Sequence, residues 1–275
     1  MKELISICSA THNQTKYLKD WYEGIMCQFD SLDTDKYDIE VCLVIDEKTE
    51  RESCSTANFL WSMRWDHDYE RNDKYFANKN NNFKIHVNSE NLGGPASMSL
   101  ALSMATGQYI TILEPDDYYK PGKLAKSLEF IEENNLDGCH GDVDCITKDG
   151  TYIKEAWSKT CWQEKIVTVQ RLMEMNTIYT CSFLCKADLI RKAPSPLEFS
   201  KKFSYLGDHP LFAYLCYNGA KIGWMNESLS VYRDSVGINN KNREESVRLD
   251  QLVKEWIANG CKREYLTSEL GNSQS

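Results

Sequence analysis

Short apolar runs alternate along this chain with longer segments in which apolar residues recur every three or four positions. The runs predict buried strands and the periodic segments amphipathic helices. Strands are expected at 4–9, 40–45, 83–87, 109–113 and 138–146, and helices at 16–28, 50–65, 95–105 and 123–134. The polar, Asn-rich stretch 66–82 reads as an exposed loop or insertion. This alternation predicts an α/β fold with a mixed, mostly parallel central sheet flanked by helices. Beyond residue 150 the rhythm is less regular, with helices expected at 167–175, 203–217 and 244–258, strands at 179–185 and 220–224, and a frayed tail over 269–275. No repeat and no Pro- or Gly-rich linker interrupts the pattern, so a single continuous domain is expected.

At 275 residues the chain is long enough to bury a sizeable core without disulfide staples. Its net charge of −9 and the lack of a basic stripe argue against nucleic-acid binding through phosphate contacts. No apolar run approaches the roughly 20 residues that span a bilayer. The first residues turn polar too early for a signal peptide. The 11 cysteines are odd in number and mostly lie singly in apolar segments, as buried, reduced thiols do. A cytoplasmic location is expected, with association at the inner membrane face allowed.

The stretch 91–122, NLGGPASMSLALSMATGQYITILEPDDYYKPG, carries the most chemistry. A glycine turn opens a helix, Thr106-Gly107 breaks it, and an apolar strand ends in Glu114-Pro115-Asp116-Asp117. Ligands of open α/β sheets bind outside the carboxyl ends of strands. Acidic groups there suit an oxygen-seeking divalent cation that bridges diphosphate oxygens; a solvated acidic turn is the plain alternative.

Four segments in order resemble the family-two inverting glycosyltransferases of the GT-A (Rossmann-like) fold, which use nucleotide-diphospho sugars: 5–17 (ISICSATHNQTKY), 41–49 (VCLVIDEKT), 91–117, and 207–233 (GDHPLFAYLCYNGAKIGWMNESLSVYR). The resemblance implies a GT-A domain over 1–240, with a nucleotide-binding half over 1–120 and an acceptor and catalytic half over 121–240, followed by a C-terminal helix and tail. It implies that Asp46 accepts a hydrogen bond from the nucleobase imide, that Thr11 and Asn13 lie beside base and ribose, and that Asn91 and Gly93 let the backbone approach the nucleotide. Asp117, helped by Asp116, would hold Mn²⁺ or Mg²⁺, while Asp116 or Glu114 would hold ribose or sugar hydroxyls. The family usually has Asp where Glu114 stands.

Asp208 would be the general base that deprotonates the acceptor hydroxyl for a single inverting displacement. The family commonly has Glu-Asp where this chain has Gly207-Asp208, and an N-cap carboxylate is the structural alternative. His209 could touch acceptor or donor, and Trp162 could stack on an acceptor sugar, with Trp157 and Trp224 as weaker choices. Tyr232-Arg233 would position a loop over the diphosphate. Many relatives follow that pair with a metal-binding His, whereas Asp234-Ser235-Val236-Gly237 follows it here.

The implied activity is metal-assisted transfer of a sugar from a nucleotide diphosphate, UDP favoured, to a saccharide or lipid-linked hydroxyl in polysaccharide biosynthesis. A catalytically degenerate GT-A domain acting as a nucleotide-binding or scaffolding module is the alternative. A sugar-phosphate nucleotidyltransferase ranks lower, because the loop after the first strand lacks a Gly-rich, basic pattern.

Overall fold

The computed structural model describes residues 2–47, 56, 58, 75–76, 83–154, 164–234 and 243–267. Most of the expected helix 50–65, most of the stretch 66–82, Trp157, Trp162 and Ser235 to Gly237 lie outside the described residues.

Ten strands form one sheet: β1 Glu3–Thr11, β2 Tyr37–Ile45, β3 Tyr75–Phe76, β4 Phe83–Val87, β5 Tyr109–Ile112, β6 Tyr118–Tyr119, β7 Gly138–Ile146, β8 Tyr152–Lys154, β9 Leu184–Lys186 and β10 Ile222–Arg233. Their order is β3-β4-β2-β1-β5-β9-β7-β10-β6, with β8 paired to β7. The pairs β1–β2, β1–β5, β2–β4 and β7–β10 are parallel. Strand β9 is wedged antiparallel between β5 and β7. Chain order reverses at β1 and β5, so a crevice is expected outside the carboxyl ends of these two strands.

The helices are α1 Leu18–Phe29, α2 Gly94–Met104, α3 Lys123–Glu133, α4 Val169–Glu174, α5 Ala187–Lys192, α6 Pro196–Phe203, α7 Asp208–Tyr217, α8 Arg243–Ala258 and α9 Arg263–Thr267. Helices α1 and α3 cover one sheet face, where Leu18, Trp21, Ile25, Leu124 and Leu128 meet Ile5, Ile7, Val41 and Leu43. On the other face Met98 and Ala101 of α2 meet Cys8, Cys42 and Val44, and the same core runs on through Phe183, Phe199, Phe203, Phe212 and Trp256. Burial of both faces is why these strands read as unbroken apolar runs. The Trp256 indole of α8 packs edge-on to Phe199 and stacks on Tyr214, which seats α8 against this core.

Several sequence expectations need correction. Strand β3 lies in the stretch expected to be loop. The segment expected as a strand over 179–185 is a 3-10 turn over Thr180–Ser182 followed by the short β9. The helix expected over 203–217 begins only at Asp208, and the unexpected α6 ends just ahead of it at Ser204, whose φ is +53°. Helix α6 begins with a capping box in which Ser195 and Glu198 each satisfy the other's backbone N–H. Strand β10 extends to Arg233, well past the expected end at Trp224. No described helix is long and apolar enough to cross a membrane. The nine described cysteines are free thiols.

Candidate active site

The cleft is assembled from the loops that follow β1, β2, β4 and β5. Asp46, directly after β2, is 2 % exposed, and its carboxylate accepts three hydrogen bonds at 2.8 Å: Oδ1 from Asn88 Nδ2 and the Leu92 N–H, Oδ2 from the Gly93 N–H. A carboxylate offers about four lone-pair positions. Asp46 therefore first holds the loop 91–93 in place. Gly93 sits at φ +84° and ψ 155°, a conformation close to glycine-only, and no atom lies within 4 Å of where a Cβ would project. The Asn91 side chain accepts from the Gly93 N–H at 3.0 Å.

His12 Nδ1 lies 2.6 Å from the Asp46 carbonyl oxygen, so this nitrogen carries the proton and donates. Its Nε2 accepts from Asn13 Nδ2 at 2.9 Å, and Asn13 adopts φ +54°. Thr11 is 1 % exposed, and its hydroxyl has no hydrogen-bond partner. The loop after β1 is thus joined to the loop after β2, and Thr11 carries an unsatisfied polar group beside them.

The loop after β1 also reaches the acidic motif, through a hydrogen bond from the Gln14 side chain to Asp116. Burial raises the Asp116 carboxyl above its ordinary value, outweighing this bond and the nearby Arg233 guanidinium. Burial, then the charges of Asp116 and Asp208, push Glu114 up to about 8. Asp208 opens α7 and its Oδ2 accepts from Asn176 Nδ2 at 3.2 Å. Glu114 therefore lies near both Asp116 and Asp208, although about 90 residues of chain separate it from the latter.

Three of the expected site residues are held by partners within the fold. Asp117 faces inward: its Oδ1 accepts from the Arg233 N–H at 2.8 Å, Cys181 hydrogen-bonds to it, and burial followed by the Asp116 charge holds its carboxyl well above the usual range. It braces the motif, which leaves Asp116 and Glu114 as the cleft-side acids. Arg233 is 3 % exposed and engaged in the fold. Its Nε donates to the Asp116 carbonyl oxygen at 2.9 Å, its NH2 to Asp20 Oδ2 at 2.7 Å, and its guanidinium lies 4.6 Å over the Tyr17 ring. His209, 2 % exposed, does not face an acceptor: Nε2 donates to the Leu172 carbonyl at 2.8 Å and Nδ1 lies 3.2 Å from Asp250 Oδ1. Trp162 lies outside the described residues.

No cluster of three or more metal-ligating side chains occurs among the described residues. The acids present still suit a hard divalent cation that takes most of its oxygens from a bound diphosphate. The Glu114 and Asp116 carboxylates lie close enough to interact, and the Arg233 guanidinium beside them is engaged with Asp20 and a backbone carbonyl. Asp116 is the better placed of the two acids, with Glu114 beside it.

Gln14, His12, Asn88 and Asn176 were not anticipated. Amide and imidazole groups in turns carry no periodic signal, and only the short His12-Asn13 spacing after a strand hinted at any of them.

The sheet order, the switch point at β1 and β5 and the acidic loop beyond β5 are those of the GT-A fold. The Glycosyl transferase family 2 model matches residues 66–191, somewhat less than half of the chain. An uncharacterized glycosyltransferase of Methanocaldococcus jannaschii is 26% identical over 234 residues, 84% of this chain and 71% of that protein. A Bacillus subtilis protein named as a candidate teichuronic acid biosynthesis glycosyltransferase is 28% identical over 152 residues, 54% of this chain and half (50%) of its own length. Several mycobacterial relatives are matched over only 58% of their length.

Among solved structures, Staphylococcus aureus TarS 1–349 with UDP superposes with a TM-score of 0.64 at 17% identity, covering 97% of this chain and 68% of that one. A Pyrobaculum calidifontis mannosyltransferase in complex with GDP-Man and Mn²⁺ superposes with a TM-score of 0.58 at 11% identity, covering 100% and 77%. These two likenesses concern the fold.

Proposed function

We propose that the chain is an inverting glycosyltransferase that moves a sugar from a nucleotide diphosphate, UDP favoured, to a hydroxyl of a saccharide or lipid-linked acceptor. One observation carries the reading: Asp208, on the catalytic half, lies close enough to Glu114 to raise its carboxyl, while Glu114 adjoins Asp116. That proximity supports a site in which base and phosphate-side acids act together. Structures of S. aureus TarS with UDP and with UDP-GlcNAc support a uridine donor, and the B. subtilis relative's name supports a cell-surface polymer as acceptor.

Asp46 and the loop it holds, with Thr11 and Asn13 opposite, border the pocket for base and ribose. Asp116, with Glu114 beside it, would hold Mn²⁺ or Mg²⁺; the cation supplies neutralisation of the charge that develops on the departing diphosphate. Asp208 sits in the first turn of α7. It takes the proton of the acceptor hydroxyl as that oxygen attacks the anomeric carbon from the face opposite the diphosphate. One displacement of this kind inverts the anomeric configuration. Removing a general base lowers turnover by about 10²–10⁴-fold.

The test follows UDP release from UDP-GlcNAc with Mn²⁺ and a panel of pyranoside acceptors, alongside calorimetry of UDP binding. Asp208→Asn is expected to lower turnover at least about 100-fold and leave Mn²⁺-dependent UDP affinity within about threefold. Asp116→Ala is expected to abolish Mn²⁺-dependent UDP binding. Full turnover in Asp208→Asn would overturn the base assignment, and unaltered UDP binding in Asp116→Ala would overturn the cation assignment.

A further inference from the structure

The geometry points to Asn176 as a positioning residue that fixes which oxygen of Asp208 faces the acceptor, an inference that rests on Asp208 being the general base. Asn176 lies just beyond the end of α4, in the extended link to the 3-10 turn at Thr180–Ser182. Its Oδ1 accepts from the Ile178 N–H at 3.1 Å. A backbone N–H can be met only by the amide's oxygen, so that bond sets the orientation of the whole group. The amino end is thereby turned to Asp208, where Nδ2 donates to Oδ2 at 3.2 Å. A flipped amide would set two donors against each other at Ile178 and an oxygen against a carboxylate at Asp208.

The support behind Asn176 is firm on both sides. Leu172 and Ile178 are buried, at 0% and 3% exposure, and fix the two ends of the segment. Its Leu172 carbonyl receives His209 Nε2, the residue next to Asp208, at 2.8 Å. Two consecutive residues of the first turn of α7 are therefore moored to one short segment. Oδ2 of Asp208 is held from the α4 side, which leaves Oδ1 to approach the acceptor hydroxyl. A base works only within about 2.6–3.2 Å of the proton it takes, and about 1 Å of misplacement costs on the order of 100-fold in rate.

A double-mutant cycle with the full chain tests the assignment, reading UDP release from UDP-GlcNAc with Mn²⁺. Asn176→Leu, close in size but without a donor, is expected to lower kcat by about 10- to 100-fold with the KM for UDP-GlcNAc within about twofold. In the Asp208→Asn background the same substitution is expected to cost less than about twofold, because the group it acts through is already disabled. A loss in that background as large as in the wild type would overturn the positioning role while leaving Asp208 as base. Wild-type turnover in Asp208→Asn alone would overturn the base reading and this inference with it. Asn176→Ser, which keeps a donor, supplies a second variant should Asn176→Leu fail to fold, and is expected to retain more kcat than Asn176→Leu. A crystal structure of Asn176→Leu gives a readout independent of turnover. The Asp208 carboxylate is expected to rotate away from the α4 side, and an unmoved carboxylate would overturn the assignment.

Discussion

Asp46→Asn separates two jobs that one carboxylate could perform. The native side chain is almost fully buried and accepts bonds from Asn88, Leu92 and Gly93, all at 2.8 Å. An amide of the same shape has one oxygen, so its best orientation keeps Asn88 and Leu92 and sets its amino group against the Gly93 N–H. The Gly93 N–H retains Asn91 Oδ1 at 3.0 Å and is not left bare. Two charge-assisted bonds become neutral ones, at roughly 1 kcal/mol each, and a third is lost at roughly 1.5 kcal/mol. Easier burial of an amide than of a carboxylate offsets part of this, leaving about 2 kcal/mol. For a domain of this size that lowers Tm by about 4–8 °C. The assay is thermal unfolding without nucleotide, followed by calorimetry with UDP and Mn²⁺. A residue that only reads the base would lose UDP affinity with an unchanged Tm. A drop of less than about 1 °C in the nucleotide-free protein would refute the argument that Asp46 braces the loop.

Arg233→Met keeps the backbone bond to Asp117 but removes the bonds to Asp116 and Asp20 and the contact over Tyr17; a loss of about 3 kcal/mol and at least a tenfold weaker affinity for UDP with Mn²⁺ are expected. Undiminished binding would show that the clamp does not position Asp116. At Gly107 a Cβ would fall 2.4 Å from the Leu4 carbonyl oxygen and 2.7 Å from Ser6 Oγ, so Gly107→Ala should lower the unfolding free energy by about 2–3 kcal/mol, read from the urea midpoint at constant m. His140 is fully buried without a hydrogen-bond partner, and burial pushes its pKa down to about 3. The unfolded chain, with its histidine near 6.5, then binds the extra proton between those two values, and stability falls as pH drops through that window. Between pH 7 and 5 this one group accounts for about 2 kcal/mol, and His140→Leu should flatten the fall by that amount in unfolding at each pH. Parallel pH curves for the two proteins would contradict it.

The strands β4 and β7 were legible to the residue: in β4 buried Phe83 and Ile85 alternate with half-buried Lys84 and His86, and β7 is buried along nearly all its length. The acidic loop and Asp208 were legible from motif and order. The direction in which each acid points was not, since Asp116 and Asp117 are neighbours and only the partnership with the Arg233 N–H turns the second inward. The strand that carries Arg233 was expected to end at Trp224, just before its pairing turns irregular between Met225 and Ser230. The boundary between α6 and α7 was lost in continuous apolar spacing, although Ser195, Pro196 and Glu198 spelled a helix start. Gln14 and Asn176 act across 102 and 32 positions of chain. Pairings between single amides and single acids at such separations leave no local trace.

Asp250 on α8 grips the imidazole adjoining Asp208, which makes the last long helix a counterweight to the chemistry. A protein shortened before Arg243 would retain every group assigned to the donor. It would still slacken the first turn of α7 and strip the Trp256 indole from Phe199, Phe203 and Tyr214. Loss of activity on such trimming would report a slipped anchor, with no vanished contact to sugar or nucleotide.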